Sequence, residues 1–231
     1  GQAIGAYAAS YLADASVDNS GSLEAVANAG GAIGAFSRAQ YGTAGLANAG
    51  DISATGTDGA YGAVMFGSYA AFDNTGAINA VSDGSAFAAY AVGVYSVTAS
   101  NGGSIDAQSA TSAAIGLAAI SYAGEVSLVN SGDIFAYTGS GVAAGAYLVG
   151  YTSVTVDNSG NIGGASGASP AYGVVAISNG DVTINNAGTI MAQDDTAAIA
   201  VRMSSTSGTS RLYNTGLVDA GMLGGISIAV L

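Results

Sequence analysis

Few residues in this chain could do chemistry. Asp194 and Asp195 form its one adjacent acidic pair, and two neighbouring carboxylates can share a proton or hold a cation. Ser and Thr are abundant, but His and Lys are absent, so no imidazole can activate a hydroxyl as a nucleophile. The run Gly139-Ser-Gly141-Val-Ala-Ala-Gly145 has the glycine content of a phosphate loop without its spacing or its Lys. Asp18, Asp73 and Asp157 each precede an Asn of a repeated motif, but the other copies put Ala, Ser, Val, Asn or Tyr there. A continuous row of carboxylates for calcium is therefore not expected, and the tandem Gly-Gly-x-Gly-x-Asp pattern of calcium nonapeptide repeats is absent. We read the acidic pair as a solvated turn in a variable loop. No catalytic residue, no metal site and no cofactor is expected.

What positions these residues is a repeat. Asn-(Ser/Ala/Thr/Gly)-Gly-x-(Ile/Leu/Val) occurs eight times, beginning at Asn19, Asn48, Asn74, Asn101, Asn130, Asn158, Asn186 and Asn214. The intervals are 29, 26, 27, 29, 28, 28 and 28 residues. A fixed period along the whole chain marks a stack of similar units. Each unit carries three short strand-like pieces separated by turn residues. Val182 and Ile184 alternate with Thr183, and Ile190 and Ala192 with Met191, which is strand periodicity. The third piece reads Ala-Ile-Gly at 3–5, 32–34 and 114–116, Ala-Tyr-Gly at 60–62 and 171–173, and Ala-Phe-Ala at 86–88. After the Asn turn come pairs such as Ile52/Ala54 and Ile134/Ala136, and Ile162 with Gly164 is the one departure.

One such coil cannot bury its own apolar side, but stacked coils place Ile over Ile and Ala over Ala. The expected fold is all-β: a parallel β-solenoid of about eight coils with a period of about 28 residues, right-handed coiling being the preferred hand. At about 4.8 Å per coil the rod is about 40 Å long. We expect residues 1–231 to form a single domain without a polar cap at either end. Ala3-Ile4-Gly5 and Gly224-Gly225-Ile226 fall at the same phase of the repeat. The piece is then either a slice of a longer rod or a unit that stacks head to tail with its own copies.

Two columns stand out. The eight Asn can stack their amides, each donating to the oxygen of the next. The Gly two residues later is expected to allow a left-handed turn. Tyr11, Tyr41, Tyr69, Tyr95, Tyr122 and Tyr151 lie five to eight residues before the Asn of six coils. Their rings either shield an edge of the rod as a ladder or offer a stripe that binds sugars or apolar surfaces.

Charge narrows the partners. Arg38, Arg202 and Arg211 are the only basic residues against fifteen acidic ones, a net charge of -12. Nucleic acid and anionic membrane surfaces need clustered cations, so neither is an expected partner. The absence of Cys rules out a disulfide framework and suits passage through an oxidising compartment. The longest apolar runs, Ala86–Val97 and Val142–Gly150, are too short for a helix that spans a bilayer.

Asn130-Ser-Gly-Asp-Ile134 and Asn158-Ser-Gly-Asn-Ile162, with the Ala-Ile-Gly pieces and the Val-x-Val strands between them, resemble the passenger repeats of bacterial autotransporters and the haemagglutinin-like adhesins. The resemblance covers essentially the whole chain. It implies export across a Gram-negative envelope, extracellular display as a rod, and a role in adhesion or biofilm formation, with host or cell-surface glycans or proteins as partners. The alternative is a self-assembling subunit of an extracellular filament. Solenoid polysaccharide lyases and pectinases instead gather carboxylates with Lys, Arg or His on one face, and this chain lacks that set, so no enzymatic activity is expected.

Overall fold

In the computed structural model, which describes residues 1–222 and 226–230, every regular element is a β-strand. Gly224 and Gly225, at the closing phase of the repeat, lie outside the described residues. All strand pairs are parallel, and each joins one coil to the next. The chain is a parallel β-solenoid of about eight turns with a period of about 28 residues.

Each coil contributes three strand segments, as the alternation and turn chemistry require. The segment after the Asn turn, such as Asp133–Thr138, stacks into an eight-stranded sheet. The segment before it, such as Glu125–Asn130, and the Ala-Ile-Gly segment, such as Ala114–Ser121, belong to one fourteen-stranded sheet that covers the other two faces. In three coils these last two segments run together as single strands, Gly31–Asn48, Gly59–Asn74 and Ser85–Asn101.

The core lies along the axis and is built of columns. Ile52, Ile78, Ile105, Ile134, Ile162 and Ile190 pair in register and are buried. Val97, Val126, Val154 and Val182 form a second column from another face. Burying each such side chain stabilises the fold by about 1.5–3 kcal/mol. Ala and Gly fill the third wall, and the Ile column is part of the reason. A Cβ on Gly116 would lie 2.6 Å from the carbonyl oxygen of Gly145 in the next coil and 2.7 Å from Cγ2 of Ile134, so the small residue leaves room for both the stacked backbone and the branched side chain. Gly164, the departure noted in the Ala column, has a similar cause: a Cβ there would run into the carbonyl oxygen of Tyr172.

Candidate functional site

Each Asn of the repeat ends a strand and, from Asn19 to Asn186, is buried. A buried amide needs partners on both its oxygen and its nitrogen. The stack supplies them. Nδ2 of Asn19 donates to Oδ1 of Asn48, and the same bond recurs through Asn74, Asn101, Asn130, Asn158 and Asn186 to Asn214, always at 2.7–2.8 Å. The second amide hydrogen goes to the carbonyl of the glycine two residues on, as from Asn130 to Gly132 at 3.0 Å. Every amide points the same way, so the column is a directional spine of aligned dipoles.

The glycine does a different job from the expected one. Among the described residues only Gly30 has a positive φ, 123°, and the turn after each Asn is not left-handed. The constraint is distance between coils. A Cβ on Gly132 would run into the carbonyl oxygen of Gly103, and one on Gly160 into that of Gly132. The same close approach holds at Gly50, Gly76, Gly103, Gly188 and Gly216.

The six tyrosines sit at the corner before the Asn strand, and all are exposed, from 47% at Tyr69 to 65% at Tyr122. They do not form a continuous ladder. Tyr11 and Tyr41 meet edge to face at 5.3 Å, and Tyr69 and Tyr95 meet tilted at 5.6 Å. No other ring contact joins members of this column among the described residues. Register accounts for the break between Tyr41 and Tyr69: a shift between Ala39 and Thr43 pairs Tyr69 with Thr43, whereas the ring of Tyr69 still reaches Tyr95 although its backbone pairs with Ser96. The stripe is thus two ring pairs followed by Tyr122 and Tyr151, all facing water. A shallow groove of about 520 Å³ runs over the neighbouring face, lined by Asp18, Asp73, Ser100, Ser127 and Val129 among others.

Asp194 is not a solvated turn. It closes the strand Thr189–Asp194 and is 1% exposed, whereas Asp195 is exposed. The four positions before it in its column are Ser82, Ser109, Thr138 and Ser166. Those hydroxyls donate to carbonyls of the preceding coil, at 2.6 Å from Ser109 to Gly84 and 2.8 Å from Ser166 to Gly141. A carboxylate has no hydrogen to donate. Oδ2 of Asp194 accepts from the Thr196 hydroxyl and the Ala197 amide, but Oδ1 is buried without a partner. An orphaned polar atom costs about 1–3 kcal/mol. Asp194→Ser is therefore expected to raise the melting temperature by a few degrees; a fall would show that this oxygen is not a liability.

One surface escaped the sequence reading. The Ala-Ile-Gly segments carry apolar side chains on their outer side as well as their inner side. Tyr7 and Phe36 stack at 5.2 Å, Tyr61 and Phe87 at 5.3 Å, and Phe66 and Tyr90 meet edge to face at 5.7 Å. Burial among these rings pushes the Tyr90 phenol above its usual pKa, with Tyr122 and Tyr61 adding to the shift. The signal was present in the apolar runs Ala86–Val97 and Val142–Gly150, which overlap these strands. They lack a polar alternate because both sides of the strand are apolar. No helix among the described residues is long and apolar enough to cross a membrane.

No protein-family model, curated protein or solved structure matches the chain. Among the described residues, no group of three or more acidic side chains is placed to hold a metal ion. The single ion pair among them, Arg211 with Asp181 at 3.7 Å, is half exposed and contributes little.

Proposed function

We propose that this chain is an extracellular structural and adhesive rod displayed at a bacterial surface, akin to autotransporter passengers, and that it works without catalysis. The observation that carries the reading is the unbroken Asn spine with the exposed Tyr corner beside it. A spine in which every coil bonds to the next makes the rod stiff and resistant to local opening. Tyr rings combine an apolar face with a polar tip, which suits stacking on sugar rings or on half-apolar protein surfaces. The high acidic charge keeps the rod from binding anionic polymers and lets the corner select its target.

The test is adhesion with the fold held constant. Replacing Tyr69, Tyr95 and Tyr122 together by Ala is expected to reduce binding to glycan arrays or cell surfaces at least tenfold, because stacked aromatic contacts contribute about 0.5–1.5 kcal/mol each. The far-ultraviolet circular dichroism and melting point should stay near those of the parent, since the three rings are exposed. Unchanged binding removes the Tyr corner from the reading. Turnover of any polysaccharide by the parent chain would replace it with an enzymatic one.

A further inference from the structure

We propose that the apolar outer face of the Ala-Ile-Gly segments is a pairing surface on which a second copy of this chain docks face to face, with the two rods antiparallel. This goes beyond the adhesive reading and does not depend on it.

The strands of this face run from Ala3–Ser10 in the first coil to Ala197–Ser205 in the eighth, and Ile226–Val230 pairs beyond them. Three outward columns cross it. The central one reads Tyr7, Phe36, Val64, Tyr90 through the first four coils and Ala118, Tyr147, Val175, Arg202 through the next four. The flanking columns contain Ile33, Tyr61 and Phe87 on one side and Phe66, Ile120 and Ile177 on the other. Val64, Ala118 and Val175 are buried yet stand outside the core cluster. Their taller neighbours on the outer face cover them. A cavity of about 260 Å³ opens between Phe36, Tyr61, Phe66 and Tyr90.

Charge selects the occupant. None of the fifteen acidic residues lies on the part of these strands that forms this face, Asp73 falling beyond the register shift near the end of Gly59–Asn74, while two of the three Arg, Arg38 and Arg202, do lie on it. In a chain of net charge -12, this is the face on which two copies approach with least like-charge repulsion. Size is adequate. Its first eight strands at about 4.8 Å each, with side chains over about 17 Å of strand, offer about 650 Å² per copy. A pair buries about 1,300 Å², within the range of specific interfaces.

The order of side chains selects the orientation. A twofold axis along the strands, between the fourth and fifth coils, sets Tyr90 against Ala118, Val64 against Tyr147 and Phe36 against Val175. Each large residue meets a smaller one, as interdigitating sheet faces require. The same operation sets Tyr61 against Ala144, and Arg202 over the ring of Tyr7 as a cation–π pair. A parallel arrangement would instead oppose Tyr90 to Tyr90 and Arg202 to Arg202.

Sedimentation equilibrium and cross-linking test this. The 22.0 kDa chain is expected to sediment as a dimer whose mass does not grow further with concentration. The chain has no Cys, so single thiols report cleanly. Ala9→Cys and Ser204→Cys lie on exposed positions of one column, seven coils apart, or about 34 Å within one rod. Antiparallel copies bring them opposite each other. A short bis-maleimide should join a mixture of the two variants and leave each variant alone unlinked. Arg202→Glu should weaken the dimer about tenfold. A monomer at every concentration overturns the proposal and leaves the face to another apolar partner. Open-ended growth overturns it in favour of end-to-end stacking. A dimer that the mixture fails to cross-link overturns the antiparallel packing, and Arg202→Glu pairing as tightly as the parent overturns the contact with Tyr7.

Discussion

Ile134→Asp is expected to abolish cooperative folding. Ile134 is fully buried between Ile105 and Ile162 in the column of the eight-stranded sheet. Its Cγ2 fills the space that Gly116 leaves open. A carboxylate there has no cation within reach, because Arg38, Arg202 and Arg211 are all exposed. Losing the buried side chain and burying an unpaired polar group together remove more than about 4 kcal/mol, a large share of the stability of a typical domain. In a stack with only nearest-neighbour contacts, one broken coil also uncouples the coils on either side. Denaturant unfolding followed by circular dichroism should show no transition, or two weak ones, where the parent shows one. A single transition at the parent's midpoint would mean that Ile134 does not face the core.

The second large effect is at the spine. Asn130→Ala leaves the Nδ2 group of Asn101 without its acceptor and Oδ1 of Asn158 without its donor, since both bonds end on Asn130. It also removes one of the two donors to the carbonyl of Gly132, which keeps the N–H of Asn161. Two buried amide groups left short of partners cost about 2–5 kcal/mol in total. Asn214→Ala provides the contrast. Asn214 is exposed and receives one bond from Asn186 without passing one on to a further Asn, so its loss should cost under about 1 kcal/mol. Chemical denaturation of the two variants measures the difference. Equal effects would show that the spine is not cooperative with burial.

These contrasts follow the division between what the sequence carries and what it leaves open. The period of the Asn motif, the Ile and Ala columns and the three strands per coil were legible because stacking copies the same local rule from coil to coil. A column of identical residues at constant spacing can only lie in register. The Asn spine was legible for the same reason: a buried amide with a copy of itself above and below has one satisfying arrangement. The tyrosine corner was less legible. Its offset from the Asn varies, and a small register shift at Ala39/Thr43 separates Tyr41 from Tyr69.

The sequence by itself determined the architecture, because a hydrophobic column repeated every 28 residues or so can be buried only by parallel stacking. Three things waited for the tertiary structure. One is the role of the glycine after each Asn, set by the approach of the preceding coil's carbonyl and not by the local backbone angle. Another is the burial of Asp194, where a carboxylate takes the place of a column of donating hydroxyls. The last is the outer aromatic face, whose residues come from eight coils and become one surface only when the coils are stacked. Each depends on distances between residues about 28 positions apart, and such distances exist only once the chain has closed its turns.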